Sequence, residues 1–316
     1  MSNIWLDGIM GVVVGDALGC PVQFTDREEL KTGPVDDMEG YGTYNMPEGT
    51  WTDDSSMTIA LLTSIQEKGT IDLEDIMKRF SKWLISGEYT PFGEAFDIGR
   101  GTMAAIMRYM VDRDIEICGG KTELDNGNGS LMRILPACLF AYIKKLPANE
   151  AVLLIHEVSG LTHNHLRAKI ACGLYYFCTC SVLDNSGSLC DRLQIGMNNG
   201  FSFYENDLSN RVELAYYGRL RDLSLFSSTE EDSIKSTGHV VDTLEAAIWS
   251  LITTKSFEEC ELKAVNLGGD TDTIGAVAGG IAGLFYGYEA IPKAWLDVIK
   301  RREWLESICN VVISCS

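Results

Sequence analysis

Residues 268–273 place two carboxylates and two hydroxyls directly after two glycines, in the order Gly-Gly-Asp-Thr-Asp-Thr. The residues that follow, 274–284, are small or apolar and uncharged, which predicts a helix buried on all sides. Acidic side chains at the start of such a helix fit its positive end, so a capped core helix is one interpretation. One cap needs one acceptor, however, and this segment supplies four oxygen-bearing side chains. The surplus favours a second interpretation, a site for a hard cation such as Mg²⁺ or Ca²⁺.

A second segment near the N-terminus has the same arrangement of residues. Residues 49–56 (GTWTDDSS) precede another apolar run with helical spacing. Adjacent side chains do not share a helix face, so Asp53 and Asp54 can converge only where a helix starts. Four carboxylates would balance the charge of two divalent cations and would repel one another without them. The candidate ligands are Thr52, Asp53, Asp54, Asp270, Asp272 and Thr273. The lack of an ordered His or Cys ligand pattern favours Mg²⁺ or Mn²⁺ over zinc.

The length of 316 residues by itself suggests roughly two domains. If the two acidic segments share a site, however, the chain closes on itself across most of its length, and no long Pro-rich or Ser-rich linker separates them. The hydrophobic fraction of 46% and the charged fraction of 22% are typical of a soluble domain with a large core. We therefore predict a single domain over residues 1–316.

The net charge of −19 argues against binding to nucleic acid or to anionic membranes. The ten cysteines form no repeated C-x-x-C pairs, which indicates reduced thiols and a cytoplasmic protein. The N-terminal residues lack the basic region of a signal peptide. The longest uncharged run, residues 273–288, is short for a membrane span and rich in glycine. We expect no association with a membrane.

Helical periodicity dominates the sequence and strand signals are few, which predicts an all-α fold larger than a four-helix bundle. The first predicted helix, residues 4–18, has a glycine at about every turn, and this spacing indicates close packing against another helix. Asp16 in this helix is either a buried hydrogen-bonding group or part of the site. Residues 21–49 are predicted to form a loop and residues 199–237 an irregular segment. Helices are predicted at residues 189–198, 257–265 and 304–312.

Three further segments carry weaker signals. Residues 96–102 lead into a helix from glycine-flanked positions, where backbone N–H groups can bind anions. Residues 126–130 form a predicted loop before a helix, and Arg133 beyond it is either a phosphate partner or part of a structural ion pair. His163 and His165 are separated by one residue and do not share a helix face, which argues against a zinc pair. A histidine such as His163, in a loop between core helices, is either a hydrogen-bonded structural group or a ligand contact.

In their order along the chain, these motifs resemble those of the ADP-ribosylglycohydrolases, typified by the dinitrogenase-reductase-activating glycohydrolase. The resemblance covers most of the sequence and depends on residues 15–19 (GDALG), 49–54 (GTWTDD), 96–99 (FDIG), 128–133 (NGSLMR), 162–163 (TH) and 268–273 (GGDTDT). It implies an all-α fold, a single large orthogonal helical bundle, with a centre of two Mg²⁺ or Mn²⁺ ions. It also implies cleavage of the glycosidic bond between ADP-ribose and a protein side chain or small acceptor, with ADP-ribose as product.

The resemblance also assigns roles to individual residues. It makes Asp97 an acid near the scissile ribose and gives Asp53, Asp54 and Asp272 catalytic roles as metal ligands. The residues matching positions that line the ADP-ribose cleft are Gly99, Gly101, Gly129, Ser130, Met132 and His163. Gln23 is a departure, because the family often has glutamate there. Gln23 can hydrogen-bond to a metal-bound water but cannot accept a proton from it. The sequence therefore does not identify the general base.

Three functions are compatible with these residues. The first is an ADP-ribosyl hydrolase acting on an ADP-ribosylated protein or small conjugate. The second is an ADP-ribose-binding protein that has lost catalysis, which the replacement of the family's glutamate by Gln23 suggests. The third is another metal-dependent hydrolase acting on a free nucleotide. The acceptor, the physiological target, the choice of Mg²⁺ or Mn²⁺ and the oligomeric state are open from the sequence.

Overall fold

The computed structural model describes residues 3–310, and within them the backbone forms α-helices, turns and short 3₁₀ segments with no β-strand. The all-α prediction is therefore confirmed. In chain order the helices are α1 (Ile4–Gly19), α2 (Arg27–Thr32), α3 (Asp53–Lys68), α4 (Leu73–Ser86), α5 (Arg100–Asp112), α6 (Ile115–Cys118), α7 (Leu135–Ile143), α8 (Ala148–Gly160), α9 (Leu166–Asp184), α10 (Leu189–Glu205), α11 (Arg211–Leu214), α12 (Leu223–Ser227), α13 (Val240–Thr253), α14 (Phe257–Val265), α15 (Thr271–Tyr286), α16 (Lys293–Val298) and α17 (Arg302–Cys309).

Helices α1 and α15 pack against each other at the centre of the molecule through facing glycines. A Cβ atom added at Gly11 would lie 2.0 Å from the carbonyl oxygen of Gly279, and one at Gly15 would lie 2.2 Å from that of Gly275. The two backbones are thus in direct contact, as the glycine spacing of the first helix predicts. The pairing runs in opposite directions along the two helices. It therefore brings the last turn of α1 beside the first turn of α15, where Asp272 lies.

The buried hydrophobic residues form one contiguous core that draws on helices from α1 to α17. Helix α1 and the turn after it, residues Ile4–Val22, are long and apolar enough to cross a membrane, but 83% of an 18-residue apolar stretch within them is buried inside the fold. It is a core helix of this structure. A contiguous core is what a single domain requires, and the single domain over residues 1–316 stays a prediction.

The long segment before α3 is fixed to the C-terminal part of the fold through Trp51. The Trp51 ring stacks on the Trp304 ring, with 6.5 Å between centroids, and its Nε1 donates to the carbonyl oxygen of Lys300 at 3.0 Å. Because Trp51 precedes Thr52, this contact fixes the position at which α3 begins.

The structure differs from the sequence-based prediction in the irregular segments. The predicted loop 21–49 contains α2, whose first turn is capped by Asp26 accepting from the backbone N–H of Glu28 at 2.8 Å. Helix α10 continues to Glu205, beyond the predicted end at residue 198, and short helices occupy part of 199–237. The predicted helix 304–312 corresponds to α17, and its last two residues lie outside the described range. A six-residue helix is too short to show a period, so α2 left no signal in the sequence.

Candidate active site

The two acidic helix starts lie side by side. Helix α3 begins at Asp53 and α15 at Thr271. The Thr52 hydroxyl lies 3.3 Å from Asp54 Oδ2 and 3.5 Å from Asp272 Oδ2, although 220 positions separate Thr52 from Asp272 in the sequence. The structure therefore brings the two predicted ligand segments together at one place.

The carboxyl groups in this cluster are buried and lie close enough to affect one another. Burial, followed by the charge of Asp97, raises the pKa of Asp53 and of Asp272 well above the usual range. Burial, followed by the charge of Asp16, does the same to the pKa of Asp54. Without a compensating cation, these groups cannot all ionise at neutral pH.

Asp270 differs from the other carboxylates because two side-chain amides hold it. Gln23 Nε2 donates to Asp270 Oδ1 at 3.2 Å, and Asn128 Nδ2 donates to Asp270 Oδ2 at 2.5 Å. Asn128 also donates to the Thr243 hydroxyl at 2.9 Å, which fixes its amide. Burial raises the pKa of Asp270, and the two amides oppose that rise. Asn128 is a site residue to which the sequence analysis gave no role, although it lies in the 126–130 loop and begins the 128–133 motif.

Asp16 is buried and binds the start of α3 without lining the cleft. Its carboxylate accepts from the backbone N–H groups of Thr52 and Ser55 at 3.0 Å and from the Ser55 hydroxyl at 2.5 Å. Burial raises the pKa of Asp16 to about 7. These bonds satisfy donors at the start of α3 that no carbonyl of that helix can reach. Two roles were considered for Asp16, a buried hydrogen-bonding group or a part of the site, and these contacts match the first.

The donor set fits a divalent cation that prefers oxygen ligands. Asp54 Oδ1 and Gln23 Oε1 are buried, and neither has a hydrogen-bond partner among the described residues. Buried polar atoms are nearly always satisfied, so two such atoms beside buried carboxyl groups indicate a missing partner. A cation would supply that partner and would offset the repulsion between the carboxylates.

A second acidic group lies away from this cluster and does not need a cation. Single ligand atoms of Glu123, His165 and Glu213 lie within 4.8 Å of one another. The Arg167 guanidinium, however, forms ion pairs with Glu123 at 3.0 Å and with Glu213 at 2.8 Å. The arginine already pairs with both glutamates, so we interpret this group as an ion-pair network.

Asp97 is held by a tyrosine from the long segment before α3. Tyr44 donates a short hydrogen bond from its hydroxyl to Asp97 Oδ1, and its ring packs edge-on against Phe96 with 5.3 Å between centroids. Burial, followed by the Asp97 contact, raises the pKa of Tyr44 well above its usual range, so the hydroxyl stays protonated. Asp97 itself has a left-handed backbone conformation, with φ of 52°. The sequence analysis missed Tyr44 because no motif surrounds it.

Asp97 and the carboxyl cluster meet at a cleft of about 1470 Å³, which has room for a nucleotide-sized ligand. The predicted site residues that line it are Gln23, Asp53, Asp54, Asp97, Gly99, Gly101, Gly129, Met132, His163, Asp270 and Thr273. Three other predicted residues, Thr52, Asp272 and Ser130, are buried and do not line the cleft. The Ser130 hydroxyl accepts from Ser159 Oγ at 2.8 Å and thus points into the interior.

Comparison with known proteins identifies the relatives of this chain. The sequence model of the ADP-ribosylglycohydrolase family matches residues 5–315. The chain belongs to the ADP-ribosylglycohydrolase family. Members of this family are glycosidic-bond hydrolases, so the predicted class of enzyme is confirmed at that level.

Individual ADP-ribosylglycohydrolases align over nearly the whole chain. An ADP-ribosylarginine hydrolase Tri1 of Serratia proteamaculans (strain 568) is 31% identical over 303 residues, covering 96% of this chain and 76% of the relative. An ADP-ribosyl-[dinitrogen reductase] glycohydrolase of Rhodospirillum rubrum is 31% identical over 294 residues, covering 92% of this chain and 88% of the relative. A solved structure titled ADP-ribosylglycohydrolase-related protein complex superimposes with a TM-score of 0.79 at 29% identity, covering 99% of this chain and 98% of the other. The predicted family and its helical fold are therefore confirmed.

In this ADP-ribosylglycohydrolase, glycines surround His163 at the wall of the cleft. A Cβ atom added at Gly101 would lie 3.0 Å from His163 Nε2, and one at Gly129 would lie 2.8 Å from His163 Cε1. These glycines let the backbone approach the imidazole closely. Gly101 also lies in the first turn of α5, whose N-cap, Gly99, provides no side-chain acceptor. The amides at the start of α5 are therefore available to an anionic ligand.

Proposed function

We propose that this chain hydrolyses the N-glycosidic bond between ADP-ribose and the guanidinium group of arginine, on a protein or on a small conjugate. The observation that carries the proposal is the meeting of Asp97 and the buried carboxyl cluster at a nucleotide-sized cleft. The names of the two relatives above support arginine as the acceptor and a protein as one form of the substrate.

We propose further that the carboxyl cluster holds two divalent cations, Mg²⁺ or Mn²⁺. The ligands would be Thr52, Asp53, Asp54, Asp270, Asp272 and Thr273. When bound, such ions polarise ligand oxygens and lower the pKa of water. Gln23 Oε1, which has no hydrogen-bond partner among residues 3–310, would orient a water molecule there.

Hydrolysis breaks the bond between the anomeric carbon and the guanidine nitrogen; water provides the hydroxyl for the carbon and a proton for the nitrogen. The side-chain amide of Gln23 cannot accept the proton of the attacking water at neutral pH. We therefore assign the proton transfer to Asp97, the cleft-lining carboxyl that Tyr44 orients. The free amides at the start of α5 would hold the diphosphate, which needs such local help on a protein of net charge −19.

The direct test is release of ADP-ribose. Purified protein is incubated with Mg²⁺ or Mn²⁺ and ADP-ribosyl-arginine, with a serine-linked conjugate and an O-acyl ester of ADP-ribose in parallel. We expect release from the arginine conjugate and its loss in Asp97→Asn. No release from any of the three substrates would reject the proposal. Elemental analysis of the same preparation tests the metal assignment, for which two ions per chain are expected.

Gln23 motivates one alternative, a binding protein without turnover. It predicts that ADP-ribose binds in calorimetry while none of the conjugates is cleaved. Measurable turnover rejects this alternative, and Gln23→Glu shows how far a carboxylate at this position changes the rate. Failure of ADP-ribose to bind, together with cleavage of a free nucleotide, would instead favour a different metal-dependent hydrolase.

A further inference from the structure

Arg133 is fully buried beneath the cleft, where it contacts neither the cleft surface nor a described carboxylate. Its guanidinium lies over the Phe80 ring, 4.7 Å from the centroid. Within the described part of the chain, NH2 is the only nitrogen of this guanidinium that is hydrogen-bonded. It donates to the Thr162 hydroxyl at 2.8 Å and to the carbonyl oxygen of Val158 at 3.3 Å. Neither role considered from the sequence, phosphate partner or ion pair, matches these contacts. Burying a charge is costly, so the presence of an arginine at this buried position calls for another explanation.

The contact with Thr162 connects Arg133 to the cleft through His163. Thr162 Oγ1 lies 2.9 Å from His163 Nδ1. Arg133 can only donate, so the Thr162 oxygen must act as the acceptor toward it. The single hydroxyl hydrogen then has His163 Nδ1 as its acceptor among the described contacts. If Nδ1 carried a proton instead, that hydroxyl hydrogen would be a buried donor without a partner, which is unfavourable.

We infer that Arg133 and Thr162 are positioning residues that hold His163 in the tautomer with its proton on Nε2, and that this N–H donates to an oxygen of ADP-ribose in the cleft. The second half of this inference rests on the proposed function. The first half concerns the free protein and can be measured without any substrate.

The position of Nε2 agrees with a donor that faces a ligand. His163 is 4% exposed, lines the cleft, and has no described hydrogen-bond partner at Nε2. Ideal Cβ positions on Gly101 and Gly127 lie 3.0 and 3.3 Å from Nε2, so any side chain there would crowd this atom. An Nε2 lone pair in the same place would repel the oxygens of a diphosphate.

The surroundings also keep the imidazole neutral. Burial, followed by the positive charge of Arg133, lowers the pKa of His163 to about 4, and the opposing charge of Asp125 does not restore it. A neutral imidazole has one N–H, so the contact at Nδ1 decides which nitrogen carries it. Arg133 therefore acts twice: it directs the Thr162 hydrogen toward His163, and it disfavours the imidazolium form.

The tautomer can be read from ring-¹⁵N spectra of the protein labelled on histidine. The chain has four histidines, and the His163 signals are assigned by their absence in His163→Asn. In the free wild-type protein we expect an unprotonated Nδ1 and a protonated Nε2. Thr162→Val removes the hydroxyl, and Thr162→Ser retains it as a matched control. The valine variant should populate the Nδ1–H form and bind ADP-ribose roughly tenfold more weakly, the effect of about one hydrogen bond; the serine variant should keep both properties.

The wild-type spectrum is decisive even if a variant fails to fold. A proton on Nδ1 in the wild type, or an unchanged tautomer in Thr162→Val, overturns the first half of the inference. If adding ADP-ribose leaves the Nε2–H signal unmoved, the second half is wrong. An active enzyme with the opposite tautomer refutes this inference alone. A protein that binds ADP-ribose through Nε2–H without releasing it from any conjugate refutes the proposed function alone.

Discussion

Asp97 is oriented at the cleft by Tyr44, a residue 53 positions earlier in the chain. A protonated phenol that donates to Oδ1 restricts the orientation of the Asp97 carboxyl group, which lines the cleft. The orientation of Asp97, to which we assign the proton transfer, therefore depends on a hydroxyl in the long segment before α3.

Tyr44→Phe should reduce kcat by roughly tenfold or more while changing KM little, because the ring contact with Phe96 survives and only the hydrogen bond to Asp97 is lost. Steady-state rates across pH with ADP-ribosyl-arginine provide the measurement. Tyr41→Phe is the control, because Tyr41 is exposed in the same segment. Equal effects of the two substitutions would contradict a positioning role for Tyr44.

Asp272→Asn should weaken metal binding and turnover together. Loss of an outer-shell partner typically lowers metal affinity about 10–100-fold, and loss of a carboxylate ligand should lower it at least as much.

In the metal-free protein, the folded-state pKa of Asp272 is raised, so its ionisation destabilises the fold above the unfolded pKa. The variant should then be more stable than wild type at pH 7–8, and this gain should vanish as the pH falls toward 4. Calorimetric metal titration and denaturant unfolding test this, with exposed Asp36→Asn as control. Unchanged metal affinity would contradict it.

At the level of elements, the contact between α1 and α15 holds the site together. The same glycines that let the two backbones touch place the last turn of α1, which carries Asp16, beside the first turn of α15, which carries Asp272. A shift between these helices would therefore change stability and site geometry at once.

Gly11→Ala should destabilise the fold by about 3 kcal/mol, because the new Cβ atom would meet backbone that cannot rotate away. The nearest atom would be the carbonyl oxygen of Gly279 at 2.0 Å. Gly218→Ala is the matched control, since a Cβ atom there has nothing within 4 Å. Urea unfolding gives both values, and a Gly11→Ala variant as stable as Gly218→Ala would show that the helices separate without penalty.

Glu261 on α14 is buried against this helix pair. Its Oε2 lies 2.5 Å from the ideal Cβ position on Gly15, and neither carboxyl oxygen has a described hydrogen-bond partner. Burial raises the pKa of Glu261 well above its usual range. The group therefore takes up a proton on folding, and its contribution to stability falls as the pH rises above the unfolded value.

Glu261→Gln should stabilise the protein at pH 8 by about 1–3 kcal/mol and by much less at pH 5, because the wild-type carboxyl is protonated in both states only at low pH. Thermal or urea unfolding at the two pH values measures the difference. The exposed Glu258→Gln on the same helix controls for the change in net charge. A gain that does not depend on pH would contradict a protonated Glu261.

At the level of the whole molecule, the features that could be predicted from the sequence are those that a local pattern of residues determines. Helix α14 coincides with the predicted 257–265 because its apolar residues recur with helical spacing. The meeting of residues 52–54 with 270–273 was predictable because neither segment alone explains its surplus of oxygen side chains. The contacts of Asn128 and Tyr44 were not, since they depend on where two irregular segments come to lie, and no local pattern encodes that.

The closure of the chain at the carboxyl cluster predicts how metal affects unfolding. A cation that binds the folded form alone stabilises it by about 2.7 kcal/mol at a concentration 100 times the dissociation constant. Because the ligands join segments near both ends of the chain, this stabilisation should apply to a single cooperative transition and leave no part of the fold unaffected. It should be larger at pH 8 than at pH 5.5, since protons compete with the metal for carboxyls of raised pKa. Calorimetric scans with Mg²⁺, with Mn²⁺ and with chelator test this, and Asp272→Asn should show little response. Two transitions, only one of them sensitive to metal, would refute the single domain predicted for residues 1–316, and no response to either metal would refute the cation site.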